Sequence, residues 1–298
     1  MKREWFEASD QTKLSLAVWE IPNPKCIVQI IHGMNEHMGR YDEFARFLNN
    51  QGFLTAGDDH RGHGLTAGER AKVGKANDDI FEKTAQDQVE ITQYLKNTYN
   101  LPVIVLGHSY GSFLAQKYMT MAAAKDVAGF ILTGTGKLDM LSVFFGRLIA
   151  VLSNPEKDAV LVKKMTFEAY DKKLKGGPNS WLTHEQEIVD KYNSDEFIVP
   201  VFSYGFYRSF FKGLSRLWGK ALKNIDKSTK VAILCGSQDG VGAWGKYPRA
   251  LYKKYKKLGL KDAYLKIYDN MRHEILNESS RLEVYQDIAG FINQFLNA

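Results

Sequence analysis

The stretch Val103-Ile104-Val105-Leu106-Gly107-His108-Ser109-Tyr110-Gly111 decides the fold. A short apolar run, typical of a buried strand, leads directly into the pattern G-x-S-x-G, and residues 110–124 follow with helical spacing. A sharp turn between a strand and a helix lifts the serine hydroxyl clear of the sheet, and glycines at 107 and 111 remove side chains that would crowd it. We therefore predict that Ser109 is a nucleophile at such a turn; a surface turn that happens to contain a serine is the alternative.

Strand-like and helix-like segments alternate on both sides of this stretch. The runs at 26–31, 53–56, 102–106, 127–133, 231–234 and 263–268 are short and almost wholly apolar. Helical spacing marks residues 79–99, 110–124, 244–258 and 281–295. Because strands that are apolar on both faces are typical of a covered parallel sheet, we predict an α/β fold with a mostly parallel central sheet and helices on both faces.

The middle of the chain lacks this alternation. Between Lys137 and Asp226 we find no pattern of a buried strand, only helix-period segments rich in large apolar residues and a breaker at residues 175–178. We predict a core domain of residues 1–136 and 227–298 and a helical cap insertion of residues 137–226. Thirteen large apolar side chains in the insertion exceed what a small helical flap needs, so we expect both an internal core and an acyl-chain tunnel over the serine.

A nucleophilic serine needs a base, and the base needs a group that orients it. In this fold class the chain order is serine, acid, histidine. His273 follows the run at 263–268 and is the candidate general base, although a histidine in an ordinary surface loop is the alternative. Asp239, just after the run at 231–234, is the preferred acid, and the other candidates are Asp226, Asp262 and Asp269.

Two backbone N–H groups are needed to hold the oxyanion that forms during acyl transfer. Tyr110, the residue after the nucleophile, is predicted to supply one of them. Met34, in the loop after the run at 26–31, is predicted to supply the other, because Gly33 lets the backbone approach closely. An ordinary turn at the end of a strand is an equally valid interpretation of His32-Gly33 taken alone.

Composition and charge limit the classes of partner. The net charge of +6 is scattered along the chain, so we predict no nucleic-acid partner, although a mild attraction to anionic lipid is possible. Cys26 and Cys235 are interpreted as buried, reduced thiols, and residues 58–64 as a structural loop rather than a metal site. We expect no metal and no organic cofactor. With neither a signal peptide nor a membrane span in the sequence, we expect a soluble cytoplasmic protein, whose oligomeric state the sequence leaves open.

Three motifs carry a resemblance to a known family. Residues 32–41 read HGMNEHMGRY, residues 59–64 read DHRGHG and residues 107–111 read GHSYG. With the segment Ser180-Trp181-Leu182-Thr183, Asp239 and Arg272-His273-Glu274, they resemble the monoacylglycerol lipases and bacterial lysophospholipases, α/β-hydrolases of the serine aminopeptidase S33 type. One departure is Gly240, where that family more often has proline after the acid.

The resemblance implies a serine esterase that cleaves a single-acyl-chain lipid ester, either a monoacylglycerol or a lysophospholipid. It implies the triad Ser109, Asp239 and His273, the oxyanion donors Met34 and Tyr110, a helical cap, and transient contact of that cap with a membrane surface. The resemblance does not indicate the head group or the acyl-chain length of the substrate. A peptidase or an acyltransferase using the same triad remains an alternative, as does a non-catalytic ligand-binding protein that keeps the fold.

Overall fold

The computed structural model describes residues 1–76 and 79–297; residue 298, the predicted end of the core domain, lies outside them. Within these residues the chain forms one eight-stranded sheet. The strands are β1 (Lys2–Glu7), β2 (Lys13–Trp19), β3 (Cys26–Ile31), β4 (Phe53–Asp59), β5 (Val103–His108), β6 (Val127–Thr133), β7 (Val231–Gly236) and β8 (Ala263–Tyr268). Their spatial order is β1-β2-β4-β3-β5-β6-β7-β8.

The α-helices in the described residues lie between the later strands and after the last one. They are α1 (Asp42–Asn50), α2 (Gly64–Ala67), α3 (Ile80–Tyr99), α4 (Tyr110–Tyr118), α5 (Met140–Leu152), α6 (Val160–Met165), α7 (Phe167–Lys173), α8 (Gln186–Ser194), α9 (Tyr204–Leu217), α10 (Lys246–Leu258) and α11 (Arg281–Asn297). Among the described residues, one buried apolar cluster includes α3, α4 and α9, another includes α1 and α11, and a smaller third one includes Trp181 and Tyr192. The α/β fold with a mostly parallel sheet is thus confirmed.

From β4 to β8 every neighbouring pair of strands is parallel, whereas β1 and β2 form an antiparallel edge. The sequence analysis did not predict these two strands. In β1 the side chains are exposed or half-buried, as expected for an edge strand, and so they lack the apolar run that marked the inner strands. The ends of β5, β7 and β8 lie on one edge of the parallel part, and the loops that follow them carry Ser109, Asp239 and His273.

Several predicted boundaries were wrong by a few residues or more. The helix predicted at 110–124 ends at Tyr118 and is followed by a turn and a 3₁₀ helix, Ala122–Asp126. The helix predicted from residue 244 begins at Lys246, because Trp244 has a φ of 53° and cannot belong to a right-handed helix. The strands predicted at 53–56 and 231–234 continue to Asp59 and Gly236, since main-chain pairing with neighbouring strands extends past the apolar residues.

Helices α5 to α9 lie between β6 and β7, in the part of the chain predicted to be the cap. Their contacts with the rest include the packing of α9 against α3 and α4. Phe202 and Phe206 are buried, whereas Phe144 and Phe145 on α5 are 58% and 55% exposed. The division into a core domain and a cap stays a prediction, and the large apolar residues of this segment do not all serve a buried core.

Candidate active site

Ser109 sits at a strained turn between β5 and α4. Its φ of 51° and ψ of −118° lie outside the regions favoured by residues with a side chain. The turn is held because the Ser109 N–H donates to the Thr133 carbonyl of β6 over 2.9 Å, and the Ser109 carbonyl accepts from the Ser112 N–H over 2.9 Å. Such strain persists only where the surroundings enforce it, and it is commonly found at functional sites.

The glycines on either side of Ser109 are required by close approach of the backbone. A Cβ on Gly111 would overlap the carbonyl oxygen of Ile31 at the end of β3. On Gly107 it would lie 2.6 Å from the Gly111 carbonyl oxygen and 2.9 Å from the Ala115 side chain. The start of α4 therefore rests directly on the sheet, and this contact fixes the direction in which Ser109 leaves it.

The loops after β7 and β8 bring Asp239 and His273 together. The Nδ1 atom of His273 lies 2.9 Å from Oδ1 of Asp239, and both side chains are buried. The same carboxylate oxygen accepts the Val241 N–H over 2.8 Å. Two of the other acidic candidates bind locally instead: Asp226 accepts from Ser228, and Asp262 from Tyr264.

Electrostatics favour a charged form of this histidine. Burial, the largest influence, disfavours the imidazolium, but the carboxylate of Asp239 and its hydrogen bond outweigh burial and raise the pKa of His273 above its ordinary value of 6.5. His108, the histidine inside the G-x-S-x-G motif, behaves in the opposite way. Burial, reinforced by the charge of His273, lowers the pKa of His108 to about 4, so His108 is neutral near pH 7.

The loop after β3, which carries Met34, is held from two sides. Glu36 accepts the Gly33 N–H through Oε1 and the Tyr41 hydroxyl over 2.8 Å. On the other side, the Nε2 atom of His32 accepts the His60 N–H over 3.0 Å, which leaves the Nδ1–H of His32 to donate to the Gly33 carbonyl over 2.7 Å. His60 thus belongs to a bracing loop, as predicted for residues 58–64.

A buried ion-pair cluster beside the site was not assigned any role from the sequence. Arg40 donates two hydrogen bonds to Glu274, over 2.7 and 2.8 Å, and a third to Glu36 over 2.8 Å. Glu274 directly follows His273, so the cluster ties the histidine loop to the loop that carries Met34. Burial raises the pKa of Glu274, but the charge and hydrogen bonds of Arg40 prevail, and its pKa lies below the ordinary value. The signal in the sequence was the position of Arg40 and Glu274 inside two of the quoted motifs.

Ser109 and Met34 line two adjoining cavities. We call the first, of about 50 Å³, the polar cavity, because Glu36, Arg40 and His273 border it, although its walls also carry apolar side chains. The second, of about 430 Å³, is lined mainly by apolar side chains from helices α5, α6, α7 and α9, together with Tyr110 and Phe113. Small-molecule sites of this size and polarity hold apolar ligands.

Comparison with known proteins decides the family. The pattern of the family described as serine aminopeptidase, S33, matches residues 22–280. The chain belongs to this S33 family. Among curated relatives, the rat monoglyceride lipase is 32% identical over 180 residues, which are 59% of this chain and 53% of that protein. The phospholipase YtpA of Bacillus subtilis is 23% identical over 279 residues, 93% of this chain and 99% of that protein.

The chain spans about half the length of the mammalian monoglyceride lipases that it matches. A solved structure agrees over the whole S33 chain: a thermostable carboxyl esterase from Bacillus coagulans in complex with glycerol has a TM-score of 0.88 and 26% identity. The two chains are covered to 99% and 98%. The predicted relationship to the monoacylglycerol lipases and lysophospholipases is therefore confirmed.

The described part of this S33 chain has neither a metal-binding cluster nor a membrane-spanning helix. Within residues 1–76 and 79–297, no group of three or more His, Cys, Asp or Glu side chains is arranged to hold a metal ion. Over the same residues, no helix combines the length and the apolar character needed to cross a membrane. Cys26 and Cys235 are both buried and unpaired.

Proposed function

We propose that the protein is a serine carboxylester hydrolase that cleaves a lipid ester with a single acyl chain. The observation that carries this proposal is the position of Ser109 where the small polar cavity meets the 430 Å³ apolar cavity. An acyl chain fits the apolar side, and the alcohol part of the ester fits the polar side, where His273 lies. The names of the relatives, monoglyceride lipase and phospholipase, agree with such a substrate.

The reaction proceeds in two steps. Ser109 attacks the ester carbonyl while the Nε2 atom of His273 takes its proton, and the N–H groups of Met34 and Tyr110 hold the oxyanion. The imidazolium then protonates the leaving alcohol, and an acyl-enzyme remains. Water repeats the sequence on the acyl-enzyme and releases the fatty acid. Asp239 keeps the Nδ1–H of His273 pointing away from the serine and stabilises the charged ring.

The family description names a peptidase, which makes amide cleavage the second candidate. Recognition of a free amino terminus requires a carboxylate that is available to the ligand. Glu36 and Glu274 border the polar cavity, but both are bound to Arg40. We therefore place ester hydrolysis first, and parallel assays with an aminoacyl amide and with alternative acceptor alcohols separate it from peptidase and acyltransferase activity.

The deciding experiment is Ser109→Ala assayed with a monoacylglycerol, with Ser215→Ala as the matched control. Ser215 lies on α9 outside both cavities and donates to the Lys212 carbonyl. Loss of turnover and of fluorophosphonate labelling in Ser109→Ala alone is expected. Turnover near wild type in that variant would exclude Ser109 as the nucleophile, and a wild type that no fluorophosphonate labels would revive the ligand-binding alternative.

We also propose that the exposed face of α5 makes transient contact with a membrane surface. Leu141, Phe144, Phe145 and Leu152 are each more than half exposed. Leu141 and Phe145 also border the apolar cavity, so a lipid leaving the bilayer at this face would enter directly. Sedimentation with phosphatidylcholine vesicles, comparing wild type with Phe144→Ser, tests this. Equal binding of the two proteins would refute it.

A further inference from the structure

Trp181 is a buried donor in the polar cavity. Its side chain borders the same cavity as Ser109 and His273, and the residue is 6% exposed. The indole Nε1–H has no hydrogen-bond partner among the described residues. Buried tryptophan N–H groups normally have a partner, so an unpaired donor at the wall of a ligand cavity calls for a functional explanation.

The segment that carries Trp181 is held in place on both sides. The carboxylate of Asp171 in α7 accepts hydrogen bonds from the main-chain N–H of Trp181 and from the Ser180 hydroxyl, each over 2.9 Å. On the other side, the Leu182 carbonyl accepts the Glu274 N–H over 2.7 Å. The indole itself is stacked on Phe167, with ring centroids 4.9 Å apart and planes at 11°. The N–H donor is therefore fixed before any ligand arrives.

The indole is also a neighbour of the proposed general base. The ring centroids of Trp181 and His273 lie 4.9 Å apart. Their main chains are also joined, because the His273 backbone N–H donates to the Trp181 carbonyl over 3.4 Å. The Nε2 atom of His273, which must deliver a proton to the leaving alcohol, is likewise buried and has no hydrogen-bond partner in the part of the chain that the structure describes. The two residues that carry these unpaired ring nitrogens thus both border the cavity beside the serine.

We propose that the Nε1–H of Trp181 donates a hydrogen bond to an oxygen of the leaving alcohol other than the one that is cleaved. This inference rests on the proposed ester hydrolysis and names the leaving group that it favours. An indole N–H donates and cannot accept, so it selects an acceptor oxygen, a hydroxyl or a phosphate oxygen, and offers nothing to an ammonium group. The nearby Arg40 donors are already bound to Glu36 and Glu274. Trp181 is thus a specificity-determining residue.

The test compares two esters of the same fatty acid, the 1-monoacylglycerol and the ethyl ester, which lacks any further oxygen on the alcohol. Trp181→Phe keeps an aromatic ring and removes the donor. We expect kcat/KM for the monoacylglycerol to fall about five- to tenfold, while that for the ethyl ester stays within about twofold. Trp218→Phe is the matched control, because Trp218 is a buried tryptophan outside both cavities whose N–H donates to Gln116 over 2.9 Å.

The outcomes separate this inference from the proposed function. An active wild type with equal loss, or no loss, on both esters in Trp181→Phe overturns the inference alone. A wild type that cleaves neither ester overturns both. A selective loss that is larger with a lysophosphatidylcholine of the same acyl chain than with the monoacylglycerol supports the inference and identifies a phosphate oxygen as the preferred acceptor.

A measurement on wild type keeps the inference testable if Trp181→Phe does not fold. A non-hydrolysable 1-O-alkylglycerol should shift the indole N–H resonance of Trp181 downfield in a ¹H–¹⁵N spectrum. The matching alkyl ethyl ether, which lacks the glycerol hydroxyls, should not. Saturating alkylglycerol without any shift of that resonance would overturn the inference.

Discussion

Replacing Asp239 by asparagine should remove the negative charge beside His273 and preserve the hydrogen bonds that the side chain accepts. The Val241 N–H donates to Oδ1 of Asp239, so an asparagine in this position keeps its carbonyl oxygen there and still accepts the Nδ1–H of His273. What is lost is the attraction between carboxylate and imidazolium. At a charge separation of about 4 Å and an effective dielectric constant of about 20 this is about 4 kcal/mol, or about 10³-fold in kcat.

The pH profile gives a second, independent readout. Asp239 raises the pKa of His273. In the proposed reaction this histidine must be neutral to take the proton of Ser109, so we expect wild-type activity to decline as the pH falls through that raised pKa. Without the carboxylate the pKa falls, and the acid limb of kcat/KM against pH should move to lower pH. The assay is hydrolysis of a p-nitrophenyl ester from pH 5 to 9, with circular dichroism to verify folding.

Asp269→Asn is the matched control, because Asp269 also precedes His273 and was an alternative acid in the sequence. It should stay within about twofold of wild type, since surface substitutions have small effects. The reasoning is refuted if Asp239→Asn retains more than a tenth of wild-type kcat, if its acid limb moves to higher pH, or if Asp269→Asn shows the larger loss.

Three further substitutions probe the turn, the ion-pair cluster and the apolar cavity. Gly111→Ala should lower the free energy of unfolding by about 3 kcal/mol or more in chemical denaturation, because a Cβ at this position has no room. The control Gly290→Ala should raise it by about 0.5–1 kcal/mol, because a Cβ at that position of helix α11 would meet no described atom within 4 Å. If both variants were equally stable, the close approach at Gly111 would be contradicted. Arg40→Ala should cost about 3–5 kcal/mol at pH 7 by leaving buried carboxylates unpaired. Because Arg40 lowers the pKa of Glu274 from 4.5, the stabilisation by this ion pair is present above pH 4.5 and declines as the pH falls toward 2. The loss of stability in Arg40→Ala should therefore shrink on acidification, and a loss that grows would contradict this assignment. Ile149→Trp should lower kcat/KM for a 16-carbon ester about tenfold and leave a four-carbon ester unchanged, and equal effects on both would exclude this cavity as the acyl site.

The elements nearest to Ser109 were predictable because their signals are local. An apolar run of a few residues predicts β5, and the glycines of G-x-S-x-G predict the turn. The family motifs around His32, Asp239 and His273 pointed to the other loops of the site. Helix ends were less accurate, as at Tyr118, because termination depends on contacts with the rest of the fold.

By itself, the sequence determined the α/β class and the family, and it predicted the order of serine, acid and histidine along the chain. Only the tertiary structure decided which acid meets His273, which of the apolar side chains surround a cavity, and that Arg40 binds Glu274, 234 positions away. The physical reason is the separation along the chain over which each signal acts, since hydrophobic periodicity and turn chemistry depend on residues only a few positions apart. The contacts that shape the site join loops whose approach is set by the packing of the whole sheet.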